Sequence, residues 1–308
     1  MKILISDKLP LDAIGVLSEV EEFEVDCRFG IAPDELRQEI KDYHALVVRS
    51  STHVTAEIIN AGDKLKVIGR AGVGLDNVDL LAAEKKGVIV LNTPFANTTA
   101  TAEHTMSLIL ALSRNIVQSC CSLKSGEWER ARYIGVELNR KMLGIVGLGR
   151  IGLTVSRMAK SFGMNVVGFD PFISKQVAQD NDIELIDFDD LLKKSDFISI
   201  HVPKNEETKN LISDKEFALM KSDAKIINCA RGGIVDESAL ICALKENQIG
   251  GCALDVYEKE PPDFNSELFK FDNCLTTPHL GAATVEARSN VAIEIVCCVR
   301  DVLLGHKI

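Results

Sequence analysis

Short apolar runs alternate with segments of helix length along almost the whole chain, and this alternation limits the fold more than any other feature. Apolar runs that predict strands occupy residues 2–6, 23–28, 45–49, 65–70, 88–92, 143–146, 165–169, 197–201, 224–230, 252–256 and 275–277. A chain in which strands and helices alternate in this way forms βαβ units and parallel sheets. The sequence therefore predicts an α/β fold.

Two longer helical patterns stand out from the alternation. One begins after Asn97, a residue type that favours helix N-caps, and continues to about Val117, and the other extends from Thr284 to Leu304. The strands form one series before the first of these helices and another after it. With 308 residues, the chain is long enough for two cores of ordinary size.

Composition excludes several classes of function. The net charge of -10 disfavours nucleic-acid binding, which needs a basic surface. The sequence contains neither an apolar stretch of membrane-spanning length nor a secretory signal pattern, so we expect no membrane contact and a cytoplasmic location. The nine cysteines lack C-x-x-C spacing, so we expect reduced thiols and no metal site.

A glycine motif follows the first strand of the second series. Gly147, Gly149 and Gly152 have G-x-G-x-x-G spacing between a strand and a helix, which is typical of a turn that binds a dinucleotide pyrophosphate. Asp170 ends the next strand at the distance expected for a carboxylate that binds the ribose diol. An acidic residue there favours NAD over NADP, although an ordinary strand-to-helix turn is the alternative interpretation of the glycines.

Three polar residues at or after the ends of later strands suggest hydride chemistry. Oxidation of a 2-hydroxy acid needs a base for the hydroxyl proton, a carboxylate that orients this base, and a cation for the substrate carboxylate. His279, Glu260 and Arg231 can serve in these three roles. Taken one at a time, they could equally be a loop histidine, a solvated carboxylate and a helix-capping arginine. The same pattern gives no catalytic role to His44, His53, His104, His201 or His306.

The segments "GLGRIG", "NCARGGIVDE", "ALDVYEKEPP" and "PHLGAAT", in this order, resemble the NAD-dependent D-2-hydroxyacid dehydrogenases. The resemblance implies two Rossmann-like or flavodoxin-like parallel-sheet domains with a cleft between them. Residues 1–96 and 283–308 would form a discontinuous substrate-binding domain, and residues 97–282 an NAD-binding Rossmann domain. It also implies a homodimer, which the segment "GEWER" would help to form.

The resemblance assigns further site residues. His279 and Glu260 would be the acid-base pair and Arg231 the anchor for the substrate carboxylate. NAD would be bound by Gly147, Gly149, Arg150, Ile151, Gly152, Asp170, Pro171, His201, Val202, Pro203, Cys229, Ala230, Asp255 and Gly281. The substrate would be bound by Arg49, Arg70, Ala71, Gly72, Val73, Gly74, Asn97 and, from a partner subunit, Arg130 or Arg132.

For the reaction, the resemblance implies NAD-dependent oxidation of D-3-phosphoglycerate to 3-phosphohydroxypyruvate, a step of L-serine biosynthesis. The alternatives are reduction of hydroxypyruvate or glyoxylate, oxidation of another D-2-hydroxy acid, and a non-enzymatic, NAD(H)-sensing scaffold similar to the corepressors of this family. Many family members carry an additional C-terminal domain that binds serine. Because the sequence ends at Ile308, we expect no serine feedback through such a domain.

Overall fold

The computed structural model describes residues 1–306 and divides the chain into two compact units. Unit 1 contains Met1–Asn97 and the C-terminal segment that begins at Ala282, and unit 2 contains Thr98–Gly281. Each limit lies one residue from the limit expected from the sequence. Lys307 and Ile308, which end the expected substrate-binding domain, lie outside the described residues.

Unit 1 is built on a five-stranded parallel sheet. Its strands are β1 (Lys2–Ile5), β2 (Glu24–Cys27), β3 (Ala45–Val48), β4 (Val67–Arg70) and β5 (Ile89–Leu91). They are arranged in the order β2-β1-β3-β4-β5. This is the flavodoxin-like order, in which the direction of winding reverses between β1 and β3.

Helices cover both faces of this sheet. They are α1 (Leu11–Ser18), α2 (Pro33–Glu39), α3 (Ala56–Ala61), α4 (Leu80–Lys86) and, from the C-terminal segment, α12 (Val285–Leu303). Helices α1 and α12 enclose one apolar core with the sheet, while α2, α3 and α4 enclose the other. The four residues of β3 are all buried, as expected for a strand covered on both faces.

Unit 2 contains a seven-stranded parallel sheet. Its strands are β6 (Met142–Val146), β7 (Asn165–Phe169), β8 (Glu184–Leu185), β9 (Phe197–Ile200), β10 (Lys225–Asn228), β11 (Gly251–Leu254) and β12 (Cys274–Thr276). The order β12-β11-β10-β9-β6-β7-β8 reverses direction between β6 and β9. This is the Rossmann order, and ligands of such sheets bind beyond the carboxyl ends of the strands at the reversal. The predicted α/β fold with two parallel sheets is confirmed.

The helices of unit 2 are α5 (Thr98–Arg114), α6 (Ile116–Lys124), α7 (Arg150–Ser161), α8 (Lys175–Asp180), α9 (Phe188–Lys194), α10 (Asp214–Leu219) and α11 (Glu237–Lys245). The prediction of one helix up to about Val117 was wrong, because Asn115 adopts a left-handed conformation with φ of 49° and separates α5 from α6. Asparagine tolerates this conformation better than most residues.

Within residues 1–306, no single helix combines the length and apolar character needed to cross a membrane. Helices α5 and α6 are separated by a 63° bend, and only the two helices together have the length and composition of a membrane span. No group of three or more His, Cys, Asp or Glu side chains in the described part of the chain is arranged to hold a metal ion.

Candidate active site

The turn between β6 and α7 has the shape that a bound pyrophosphate requires. Gly147 has a φ of 94°, and a Cβ on Gly152 would lie 2.1 Å from the carbonyl oxygen of Gly147, so both positions need glycine. Gly149 is the N-cap of α7, and no atom lies within 4 Å of the position that a Cβ there would take. A phosphate can therefore approach the backbone at Gly149 and the N-H groups at the start of α7.

Asp170 connects the end of β7 to this turn. Its Oδ2 accepts a hydrogen bond from the backbone N-H of Leu148 at 2.8 Å, and its Oδ1 accepts from those of Phe172 at 2.9 Å and Ile173 at 3.2 Å. Since each carboxylate oxygen accepts more than one hydrogen bond, the partly buried side chain keeps capacity for a ribose hydroxyl. The glycine turn and Asp170 together fit a dinucleotide.

The other residues expected to bind the cofactor lie near the same edge of the sheet. Arg150 and Ile151 begin α7, Pro171 follows Asp170, and Asp255 and Gly281 follow β11 and β12. The remaining ones follow β9 and β10, namely His201, Val202, Pro203, Cys229 and Ala230. Burial lowers the pKa of His201 to about 3, so its ring is neutral and hydrogen bonds with the Ser199 hydroxyl at 2.8 Å. Burial raises the pKa of the Cys229 thiol to about 12, which makes it a poor nucleophile at neutral pH.

Arg231 lies in a tight loop after β10. The buried Asn228 shapes this loop, because its Nδ2 donates to the Arg231 carbonyl at 2.9 Å and its Oδ1 accepts from the Ala230 N-H at 3.0 Å. A Cβ on Gly232 would lie 1.7 Å from the carbonyl oxygen of Tyr257, so this glycine lets the loop pack against the segment after β11. The partly buried Arg231 side chain donates from Nη1 to the Ala230 carbonyl at 2.7 Å.

Glu260 and His279 form a hydrogen-bonded pair. His279 Nδ1 lies 2.6 Å from Glu260 Oε2, and Glu260 Oε1 accepts from the Tyr257 N-H at 3.3 Å. The Tyr257 hydroxyl donates to the carbonyl oxygen of Thr277 at 3.0 Å and so connects the two loops that carry the pair. Because a carboxylate only accepts, Nδ1 carries a hydrogen, and Nε2 is the nitrogen that can exchange a proton with a substrate.

The surroundings shift the pKa values of both groups. The hydrogen bond that His279 donates to Glu260 is the main cause of the raised His279 pKa, and burial opposes it. The charges of Glu260 and Asp255 raise this pKa further, and the Arg231 charge lowers it. Burial would raise the pKa of Glu260, but the contact with His279 outweighs this effect and the net shift is downward. The two shifts agree, because a charged Glu260 and a protonated His279 stabilise each other, which lowers the pKa of the first and raises that of the second.

Asp255 lies beneath the loop that carries His279. Its side chain is fully buried, and its two oxygens accept the backbone N-H groups of Leu280 at 2.7 Å and Gly281 at 2.8 Å. Burial would raise its pKa, but the hydrogen bonds that it accepts lower it overall, so the carboxylate is charged. Asp255 therefore fixes the backbone on the C-terminal side of His279.

In unit 1, the expected substrate-binding residues gather at the carboxyl ends of β3 and β4. Asn77 joins the two arginines, because its Nδ2 donates to the Arg49 carbonyl at 2.7 Å and its Oδ1 accepts from Arg70 Nε at 3.4 Å. Arg49 is partly buried; burial lowers its pKa, and the nearby charge of Arg288 lowers it further. Ala71, Gly72, Val73 and Gly74 form the turn after β4, in which the Gly72 N-H donates to Thr93 Oγ1 at 2.9 Å.

The last two expected substrate residues differ in their surroundings. The Asn97 Oδ1 atom is buried without a hydrogen-bond partner among residues 1–306, which is uncommon for a buried polar atom. Arg130 is exposed in a 3-10 turn, Arg130–Tyr133, in unit 2. Its neighbour Arg132 instead forms ion pairs with Glu129 and Asp272.

Comparison with known proteins identifies the family. Residues 106–281, more than half of the chain, match the family model described as D-isomer specific 2-hydroxyacid dehydrogenase, NAD binding domain. The chain belongs to the D-isomer specific 2-hydroxyacid dehydrogenase family. The cofactor of this family member is NAD, in agreement with the glycine turn and Asp170.

Two relatives align with almost the whole of this chain. It is 50% identical over 307 residues to a D-3-phosphoglycerate dehydrogenase of Methanocaldococcus jannaschii, a match that covers 99% of this chain and 58% of the relative. It is 43% identical over 307 residues to the human D-3-phosphoglycerate dehydrogenase, covering 100% of this chain and 57% of the relative. The chain thus spans less than two thirds of the length of these relatives.

Solved structures show the same fold. The TT0316 protein from Thermus thermophilus is 33% identical, with a TM-score of 0.92, over 100% of this chain and 98% of the other. A D-lactate dehydrogenase from Aquifex aeolicus, complexed with NAD and lactic acid, is 28% identical, with a TM-score of 0.87, over 98% of this chain and 96% of the other.

Sequence reasoning missed three residues that contact the expected ligand-binding groups of this chain. Asn77 connects the two unit 1 arginines, Arg288 places a second guanidinium near Arg49, and His104 contacts Asp255. His104 is 151 residues from Asp255 in sequence, and neither the pattern along the chain nor the family resemblance assigned a role to any of these three residues.

Proposed function

We propose that this dehydrogenase oxidises D-3-phosphoglycerate to 3-phosphohydroxypyruvate, a step of L-serine biosynthesis, with NAD as the oxidant. The observation that carries the proposal is the hydrogen-bonded pair of Glu260 and His279, at 2.6 Å, within electrostatic reach of Arg231. The identity of 43–50% to D-3-phosphoglycerate dehydrogenases over nearly the whole chain supports the choice of substrate.

In the proposed mechanism, Arg231 pairs with the substrate carboxylate through its planar guanidinium. His279 Nε2 accepts the proton of the 2-hydroxyl group, and Glu260 stabilises the resulting imidazolium through Nδ1. When bound, NAD supplies the acceptor for the hydride that leaves carbon 2 as the carbonyl forms. The pyrophosphate is held by Gly147, Gly149, Arg150 and Gly152, and the ribose by Asp170.

The remaining expected contacts are part of the same proposal. The residues after β9 and β10, together with Asp255 and Gly281, line the cofactor site. Arg49 and Arg70, both of which contact Asn77, bind the substrate phosphate with the turn 71–74, Asn97 and, from a partner subunit, Arg130. Their position at strand ends supports this role, because ligands of parallel sheets bind there.

Turnover of phosphorylated and unphosphorylated substrates tests the substrate assignment. We expect R49A to raise the KM for 3-phosphoglycerate by about 10- to 150-fold, the equivalent of a charge-assisted hydrogen bond of ~1.5–3 kcal/mol. The KM for glycerate should stay the same, and R37A, which changes an exposed arginine on α2, should affect neither substrate.

The alternatives give different results in the same assay. Equal effects of R49A on both substrates would exclude Arg49 as a phosphate ligand. A wild-type preference for hydroxypyruvate or glyoxylate would favour the reductase function, and a glyoxylate reductase from Paecilomyes thermophila, 28% identical, shares the fold with a TM-score of 0.90. Tight NADH binding without turnover of any 2-hydroxy acid would favour the sensing scaffold.

We also propose that the protein is a cytoplasmic homodimer. Helix α6 and the segment after it expose large apolar side chains, with exposed fractions of 51% at Ile116, 58% at Leu123, 76% at Trp128 and 80% at Ile134. A self-association surface would cover them. The nine free cysteines are consistent with a reducing compartment. Sedimentation equilibrium of the wild type and of L123S/I134S measures the association, and a monomeric wild type would contradict it.

A further inference from the structure

His104 on α5 contacts the network beneath the catalytic histidine. Its Nε2 lies 3.2 Å from Asp255 Oδ1 and 3.2 Å from Thr277 Oγ1. The Thr277 hydroxyl itself donates to Asp255 Oδ1 at 2.6 Å. Because both oxygens present lone pairs to the ring, the His104 Nε2 carries a hydrogen and acts as a donor. The side chain is 19% exposed, so water competes little for this contact.

The network holds an unusual backbone conformation. His279 has a φ of 53°, in the left-handed region that costs a residue other than glycine on the order of 1 kcal/mol or more. Asp255 accepts hydrogen bonds from Thr277 on one side of His279 and from Leu280 and Gly281 on the other. The surrounding structure must impose such a conformation, and these contacts do so on both sides of His279.

We infer that His104 is a positioning residue for the reaction, which fixes Asp255 and Thr277 and so keeps His279 in reach of Glu260. Asp255 is fully buried, and its Oδ1 is shared among the donors on Thr277, Leu280 and His104. Without the contact from α5, the carboxylate loses one of the donors that fix its position. The loop then holds His279 less firmly.

The consequence for catalysis is specific. The charged neighbours of His279 are Glu260 and Asp255, which raise its pKa, and Arg231, which lowers it. The largest contribution, the hydrogen bond that His279 donates to Glu260, is the one most sensitive to the loop position. Loss of the contact between His104 and Asp255 should therefore lower the His279 pKa toward the ordinary value for a histidine side chain and reduce kcat. The substrate carboxylate should still bind Arg231.

Two amide variants test the inference, because they differ by one methylene group. H104Q places an amide nitrogen near the position of Nε2, whereas the amide of H104N is too short to reach Asp255. We expect kcat to fall by about 10- to 100-fold in H104N and by less than about fivefold in H104Q, as for a misplaced catalytic group. KM and the NADH dissociation constant should change by less than about threefold in both variants.

A second readout does not depend on turnover. Histidine NMR titration of the protein without cofactor measures the His279 pKa, with H279Q used to assign the signal. We expect this pKa to be lower in H104N than in the wild type and to recover in H104Q. M106A, which opens a cavity at a buried residue of α5 without contacting Asp255, is the matched control for lost packing.

The inference fails if H104N keeps the wild-type kcat and His279 pKa, or if H104N and M106A lose activity in proportion to thermal stability alone. It also fails if H104Q does not recover. It rests on the proposed dehydrogenase activity but not on the choice of substrate, so any 2-hydroxy or 2-oxo acid that the wild type turns over can be used. A wild type that is inactive with all of them contradicts the proposed function, whereas the NMR titration still decides the role of His104.

Discussion

Two substitutions in the glycine turn should affect the stability of the fold and the affinity for the cofactor differently. G149A and G152A each add one methyl group to the same turn, but the structure places these methyl groups in different surroundings. At Gly152 the Cβ would lie 2.1 Å from the Gly147 carbonyl oxygen, whereas carbon and oxygen in contact are about 3.3 Å apart. The backbone must therefore move by roughly 1 Å. At Gly149 no atom lies within 4 Å of the added carbon.

The magnitudes follow from these distances. Overpacking of this kind costs about 1–3 kcal/mol, so G152A should lower both the free energy of unfolding and the affinity for NADH. G149A should lower the free energy of unfolding by less than about 1 kcal/mol, because only the N-cap changes. Its methyl group occupies the space through which the pyrophosphate reaches the backbone. The loss of one charge-assisted hydrogen bond, ~1.5–3 kcal/mol, corresponds to about 10- to 150-fold weaker NADH binding.

The assay pairs urea unfolding with a titration of NADH fluorescence. G15A, in the middle of α1 with no atom within 4 Å of the added carbon, is the control for exchanging glycine for alanine in general. It should stabilise the protein by about 0.5–1 kcal/mol and leave NADH binding unchanged. If folded G149A bound NADH as tightly as the wild type, the assignment of this turn to the pyrophosphate would be refuted.

Three further predictions concern the active site. Oxidation needs neutral His279, and Glu260 is the main cause that raises the His279 pKa above the ordinary value for a histidine side chain. Wild-type kcat/KM for oxidation should therefore fall as the pH drops through this raised pKa. E260Q should move this fall to lower pH, and an unchanged pH profile would contradict the pairing. R231Q should lower kcat/KM by about 100-fold or more in steady-state assays while NADH titration stays unchanged. D170N should weaken NADH binding more than NADPH binding, and parallel losses for the two cofactors would argue against a ribose contact.

The fold was predictable because strands buried on both faces leave a strong pattern. The sequence located Asn165–Phe169 at its observed limits, whereas the two-residue strand Glu184–Leu185 was missed. That strand lies at the edge of the sheet and is not fully buried, so its apolar pattern is weak. The break at Asn115 was also missed, because the apolar pattern continues through it and only the local φ separates the two helices.

The candidate site was predictable in part for a related reason. Glu260 and His279 follow strands that are neighbours in the sheet, and the parallel order brings such residues to one edge. The contacts behind them were not predictable. His104 reaches Asp255 from a helix far away in sequence, and Asn77 joins Arg49 and Arg70 from a turn. Such pairings depend on packing in three dimensions, which no periodicity along the chain records.

The incorporation of α12 into unit 1 has a consequence for biosynthesis. This helix supplies Val291, Ile295 and Val299 to the same core as β1 and β3, and a Cβ on Gly69 of β4 would lie 2.5 Å from a methyl carbon of Val299. As the ribosome makes the chain, every residue of unit 2 is available before α12 is. One apolar face of the first 97 residues therefore stays uncovered until α12, which follows unit 2 in the sequence, has been made. Release of the nascent chain before that point should yield a fragment that chaperones retain.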